Sequence, residues 1–304
     1  MKNNNLQSQK KPSLLQTIAA VLTAGIMWGS GNVIVRSLLI EGLNEIFLVT
    51  ARVLVIGALL FFYYVIFNRE PFNKQLLKEA SYTGLASIFL VSWAFIFALQ
   101  YVSSGLVTLL ISSAPIFTVM WVKLLLKQEK ISKLKYISVL VGFSGIAYLF
   151  ITQETGLLNQ GNIFLGGSLA FAGVQCIALA TVLNRKYAPK YKVNSWLTFQ
   201  YPLVVFLTLL TFFISGVEID ILNISQFLRL GALVVCNLGA FLSFTWLIQR
   251  VSALQVASID YLVPIVGVSA GVIFLGETFN KNILISGLFI FLSLLLTTKD
   301  EFSD

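Results

Sequence analysis

The sequence predicts an all-α integral membrane protein with ten transmembrane helices arranged as two inverted five-helix repeats. Three observations carry this. Of 304 residues, 57% are hydrophobic and only 11% charged, with a mean hydropathy of +0.87, against roughly 25% charged residues in soluble domains. Apolar runs close to the roughly 20 residues that span hydrocarbon recur along the chain. A phrase also repeats at half-chain distance. QYVSSGLVTLLISSAPI begins at Gln100 and QRVSALQVASIDYLVPI at Gln249, an offset of 149. Without a gap, Val102, Ser103, Val107, Pro115 and Ile116 match Val251, Ser252, Val256, Pro264 and Ile265. The same offset sets Arg36 on Arg185, Leu48 on Leu197 and Leu54 on Leu203. A half-chain repeat in a hydrophobic protein marks a secondary transporter built from two related bundles.

The elements follow in order. Residues 1–13 are polar and form a cytoplasmic tail. The first repeat, 14–152, holds runs at 14–38, 45–67, 79–100, 103–126 and 134–152. Lys10 and Lys11 before the first run imitate a signal peptide, but its length exceeds an h-region of about 7–15 residues, so it reads as an uncleaved first helix. The third and fourth runs nearly abut. QETGLLNQGN then separates the halves, and the second repeat, 161–298, holds runs at 161–184, 195–215, 227–248, 253–275 and 280–298. Residues 299–304 form a short cytoplasmic tail. The runs are continuous rather than alternating, which excludes β-barrel strands. Five helices per repeat is an odd number, so the second repeat lies inverted relative to the first.

The formal charge of +8 sets topology and needs no nucleic-acid partner. With the N-terminus cytoplasmic and ten alternating helices, 17 of the 21 basic residues face the cytoplasm, as the positive-inside rule requires. Lys123–Lys135 and Arg185–Lys192 are the two densest clusters and read as topology anchors. Both termini are then cytoplasmic. The absence of His removes the usual general base and the commonest metal ligand. Cys176 and Cys236 lie inside spans without CxxC spacing and read as small buried hydrophobes. No metal site or cofactor is expected, and without a phosphate-binding loop ATP bound to this chain cannot drive transport.

Several features resemble the drug/metabolite transporter superfamily, specifically its bacterial EamA-type group of ten-helix carriers. Met27-Trp28-Gly29-Ser30-Gly31-Asn32 is similar to an aromatic-Gly-Ser-Asn pattern in the first helix, and Ala51-Arg52 to one in the second. Pro115 to Glu129 and Pro264 to Glu277 repeat a proline-then-glutamate spacing, with Gln128-Glu129 standing where Gly-Glu is expected. The resemblance implies a multi-pass protein of the bacterial plasma membrane. It implies a central cavity walled by helices one to four and six to nine, with the fifth and tenth peripheral. It also implies a metabolite substrate, commonly an amino acid or related compound and often exported.

Charged groups at membrane depth cost at least about 2.5–3.5 kcal/mol and usually mark function. Arg52 and Asp260 are the two clearly internal ones, each about 10 Å deep from opposite faces. Their separation suits the two ends of a zwitterion better than a direct ion pair. Arg52 would bind an anionic group, and Asp260 an amine or a coupling proton. The alternative is that both are structural, satisfied by backbone carbonyls. Ala257, Asp260, Tyr261 and Pro264 share one helix face by their i, i+3, i+4, i+7 spacing, and Thr108, Ile111, Ser112 and Pro115 are their repeat mates. Pro115 and Pro264 are candidate helix breaks or gates. Trp28, Asn32, Trp93, Gln175, Tyr201 (the mate of Arg52) and Asn237 complete the candidate substrate-binding set. Trp196 reads as an interfacial anchor, and Gly25/Gly29 and Gly267/Gly271 as close-packing GxxxG pairs.

The expected function is therefore a secondary transporter moving a small organic metabolite outward by alternating access. Its partners are the substrate, the bilayer and, for coupled transport, protons; facilitated diffusion and exchange stay open. A lipid-modifying enzyme would need paired carboxylates or His-rich motifs near one face, and none occurs. A non-transporting scaffold would not need polar stripes on equivalent helices of both repeats.

Overall fold

A computed structural model of the protein describes residues 12–67, 73–126, 133–158, 161–251, 256 and 259–302. Gln128, Glu129, Ser252 and Ala257, named above, lie outside them, as do residues 1–11. The described residues are helical with short connections and contain no strand. The helices are α1 (Leu14–Ile40), α2 (Glu45–Phe67), α3 (Lys74–Gly84), α4 (Val91–Tyr101), α5 (Ser104–Ile111), α6 (Ala114–Leu126) and α7 (Lys133–Thr152). The second half gives α8 (Ile163–Tyr187), α9 (Val193–Ser215), α10 (Ile224–Ile248), α11 (Ile259–Leu275) and α12 (Lys281–Phe302). Among the described residues, seven helices are long and apolar enough to cross a membrane, counting Lys74–Tyr101 and Ser104–Leu125 as single spans, and three shorter apolar helices accompany them.

Boundaries differ from expectation where polar residues begin or end a helix. The third span starts at Lys74, earlier than 79, because the Asn73 side chain accepts from the N–H groups of Gln75 and Leu76. Its first turns are polar and invisible to a hydropathy window. A π-helical stretch, Leu85–Leu90, then joins α3 to α4. The fourth span is two helices. Pro115 lacks an N–H for the ladder, and Ser112–Ser113 form a turn whose hydroxyls donate back to the carbonyls of Thr108 and Leu110. Pro264, by contrast, sits inside an unbroken α11. The last helix continues to Phe302, so residues 299–302 extend α12 instead of forming a separate tail.

Packing shows the pseudo-two-fold directly. Helix α1 packs against α10 and α11, while its repeat mate α8 packs against α4 and α6, the mates of those two. The pairs α2 with α9 and α7 with α12 join each element to its own mate, and α5 packs against α11. Both GxxxG pairs make backbone-close seams, as expected. A Cβ at Gly29 would lie 2.7 Å from Val266 Cβ and 2.9 Å from the Val263 carbonyl oxygen, and one at Gly267 2.7 Å from Thr108 Cβ. Overpacking such a seam costs about 1–3 kcal/mol or more. Gly29→Leu is therefore expected to lower the yield of monodisperse protein in detergent several-fold. Gly231→Ala, at a position open to within 4 Å, should leave size-exclusion profiles unchanged.

Polar contacts tie the two ends of the bundle differently. At the end carrying Ile40, Tyr101 and Thr152, Glu277 is buried, with 8% exposure. It accepts from Ser104 N–H (2.7 Å), the Ser104 hydroxyl (2.8 Å) and Gly105 N–H (3.0 Å). Thr278 N–H donates to the Gly156 carbonyl and Ser103 N–H to that of Thr155. Asn280 and Asn282 donate to the Glu154 carboxylate. On the rim of this end, Arg229 pairs with Glu41 at 2.5 Å and holds that carboxyl below the usual range. The opposite end, carrying Arg185, is organised by Trp196. Expected as an interfacial anchor, Trp196 is wholly buried, donating to Asn184 Oδ1 at 2.8 Å and stacking on Tyr191 at 5.7 Å. Burial and the hydrogen bond to Glu79 push the Tyr191 phenol up to about 12.

Candidate functional site

A cavity of about 240 Å³ lies between the repeats. Among the described residues its wall comes from α1, α2, the third span, α5, α6 and α8–α11, with Leu294 from α12 and nothing from α7. On α1 the lining face is Trp28, Gly31, Asn32 and Val35; on α8 it includes Ile177, Ala180, Thr181 and Asn184, beside Arg185. These two sets are repeat mates residue for residue at the 149 offset. The wall runs from Leu99 and Val35 near the Glu277 end to Val122, Thr245 and Arg185 at the opposite end.

Arg52 and Tyr201 both line the cavity, on α2 and α9, which pack against each other. Because they are repeat mates, two such residues on packed helices must flank the pseudo-two-fold axis. That places the Arg52 guanidinium near the level that both ends share. It faces the cavity and, among the described residues, makes no hydrogen bond and no ion pair. Asp260 lies on the same wall toward the Arg185 end, with Arg185 as its electrostatic neighbour. Trp28 supplies an aromatic face, meeting Phe244 at 5.3 Å and Phe241 edge-on at 5.8 Å. Asn32, Asn237 and Gln200 add amides, two of them engaged: Asn237 donates to the Leu233 carbonyl and Gln200 accepts from the Ser87 hydroxyl at 2.9 Å. The arrangement offers one cation, one carboxylate further along, amide groups and an aromatic wall. That suits an organic solute carrying an anionic group.

Of the residues singled out from sequence, Arg52, Asp260, Trp28, Asn32, Tyr201, Asn237 and Pro115 line this cavity. Five others do not. On α11 the lining stripe is Ile259, Asp260 and Val263, with Val256 ahead of the helix, one residue earlier than the expected stripe through Tyr261 and Pro264. A one-residue shift turns a helix by about 100°, which sends Tyr261 onto Phe291 of α12 at 5.3 Å. Ser112 is buried in the α5–α6 turn. Trp93 stacks with Phe97 at 5.9 Å and meets Phe89, and Gln175 lies two residues before the lining face of α8. Among the described residues, the Trp93 Nε1 and Gln175 Nε2 donors are buried without acceptors. Thr181 and Gln200 also line the wall.

Sequence reasoning missed Asn184, Phe241, Phe244, Thr245 and the cavity role of Arg185, which reads from sequence as a topology anchor. The repeat held the signal: these are the mates of Val35, Ser92, Phe95, Ile96 and Arg36, the first four of which line the cavity.

Comparison with known proteins agrees with this architecture. A model of the EamA-like transporter family matches residues 15–151 and again 164–299. No curated protein matches the chain. A crystal structure described only as "Crystal structure of protein" superposes with a TM-score of 0.65 at 18% identity, over 94% of this chain and 98% of that one; it supports the fold alone. With the family match spanning both repeats, the chain is a multi-pass membrane protein that belongs to the EamA-like transporter family.

Proposed function

We propose that the protein is a secondary transporter that moves a small organic metabolite carrying an anionic group, an amino acid or related compound, out across the bacterial plasma membrane. The observation that carries this is the Arg52 guanidinium, which lines the cavity with no hydrogen bond or ion pair among the described residues, on a helix packed against that of its repeat mate Tyr201. A charge at that depth is costly unless something answers it, and no described acid does so by hydrogen bond or ion pair. A carboxylate or phosphate of the solute would, through charge-assisted and geometrically matched hydrogen bonds. A site on the pseudo-two-fold axis meets both ends on equal terms, as alternating access requires.

The basic residues Arg185, Lys186, Lys190 and Lys192 assign the Arg185 end to the cytoplasm, with both termini on that side. The cavity wall reaches that end while Glu277 and its neighbours tie the other, which suits loading from the cytoplasm and release outside. The aromatic wall around Trp28 receives the apolar part of the solute. Asp260 is the group placed to carry a coupling proton. In bacteria producing the protein, at least one anionic metabolite is expected to accumulate outside relative to cells lacking it. An unchanged set of metabolites inside and outside contradicts the proposal. Once the solute is known, Asp260→Asn should make its transport indifferent to an imposed pH gradient while exchange persists. Equal gradient dependence in both proteins would remove Asp260 from coupling.

A further inference from the structure

Arg36 and Arg185 are repeat mates, yet the two ends of the bundle use them differently. Arg185 lines the cavity and, among the described residues, makes no hydrogen bond or ion pair, with Asp260 as its electrostatic neighbour. Arg36 is shut away from the cavity. Its Nη1 donates to the Leu99 carbonyl, its Nε is buried without an acceptor, and Glu277 lies within electrostatic reach. Both Leu99 and Val35, the residue before Arg36, line the cavity roof. The Arg36–Leu99 contact thus pins α1 to the last turn of α4 where the cavity stops. Carbonyls of a last helical turn lack intrahelical donors, and a cation there is also favoured by the helix dipole. The seal is therefore chemically apt.

The opposite end has the matching parts, with Arg185 making no hydrogen bond to the corresponding carbonyl among the described residues. The repeat mate of Leu99 is Ile248, the last residue of α10. The next residue, Gln249, donates to the carbonyls of Ala188 and Tyr191 just beyond α8. The end of α10 thus already lies against the end of α8, the helix that carries Arg185. We propose that Arg36 and Arg185 are interchangeable gate arginines. Each donates to a helix-terminal carbonyl, Leu99 or Ile248, when its own end is shut, and turns into the cavity mouth when that end opens. The inference rests on the alternating-access reading above. Two inverted repeats that exchange conformations would exchange these contacts with them, leaving the number of seals constant and the two states close in energy.

The test uses the full chain in membranes, with Cys176→Ala and Cys236→Ala as background and Thr181→Cys as a reporter in the cavity. A membrane-impermeant maleimide is applied to cells, and separately to inside-out vesicles. Arg36→Gln removes the existing seal and is expected to raise labelling from the Glu277 side roughly ten-fold, the factor for one lost hydrogen bond to a charged group. Arg185→Gln removes the seal of the other state and should lower labelling from that side while raising it from the Arg185 side. Opposite signs are the signature, because general loosening would move both variants the same way. Arg36→Lys and Arg185→Lys should show the same opposite signs at smaller size, and they carry the test where a glutamine variant does not reach the membrane. Shifts of one sign, or none, overturn the proposal but leave alternating access standing. A reporter labelled from one side only in the parent protein overturns both.

Discussion

Replacing Arg52 by alanine is expected to cut transport at least ten-fold while the protein still reaches the membrane and runs as a folded species in detergent. The guanidinium has no hydrogen bond or ion pair to lose among the described residues, so its removal leaves no described acceptor unpaired. It also removes a charge that is unfavourable in the empty protein, so stability should hold or rise. What disappears is the charge-assisted contact to the solute, worth about 1.5–3 kcal/mol for a hydrogen bond to a charged group. Arg52→Lys keeps the charge but not the planar fork. It should retain intermediate transport with weaker apparent affinity. Measured as solute flux per mole of membrane protein, full activity in both variants would return Arg52 to a structural role.

Removing Glu277 should act in the opposite way, through stability. Its carboxylate, 8% exposed, is the acceptor for two backbone N–H groups and a hydroxyl at the start of α5. It holds a loop of the second repeat against a helix of the first. Glu277→Ala would strand those donors in a buried place, each costing about 1–3 kcal/mol. The expected result is a loss of about 3 kcal/mol, read from thermal or denaturant unfolding in detergent. Glu277→Gln keeps one acceptor oxygen and should lose less. Glu41→Ala, at the exposed pair with Arg229, should barely move the midpoint, because exposed ion pairs add little. Equal shifts at Glu41 and Glu277 would contradict the role assigned to the buried carboxylate.

The difference between these residues also marks what the sequence could and could not reveal. Hydropathy made the spans legible because an apolar run is a property of composition, and the 149-residue offset made the inverted pairing legible because it is a property of spacing. Where a helix begins with polar residues, as at Asn73–Lys78, neither signal operates and the expected start falls late. Depth found Arg52 and Asp260, since a charge inside a span stands out wherever it faces. Phase was the weak point. Periodicity identifies a stripe but not which of two adjacent stripes meets the cavity. Tyr261 and Pro264 were therefore expected where Ile259 and Val263 stand. Trp93 and Gln175 failed for the same reason, being polar or aromatic on the packed face of their helices. Glu277 was visible only as part of a motif. Its partner Ser104 is 173 residues away in sequence, and nothing local to either residue announces the contact.

The most direct test of the central claim is solute release from vesicles. Purified protein is reconstituted into liposomes loaded with an isotopically labelled bacterial extract, and the compounds that leave are identified by mass. The account predicts that at least one small organic anion leaves faster than from protein-free vesicles, and that Arg52→Ala abolishes its release. Release no faster than from protein-free vesicles, or release undiminished by Arg52→Ala, would contradict it.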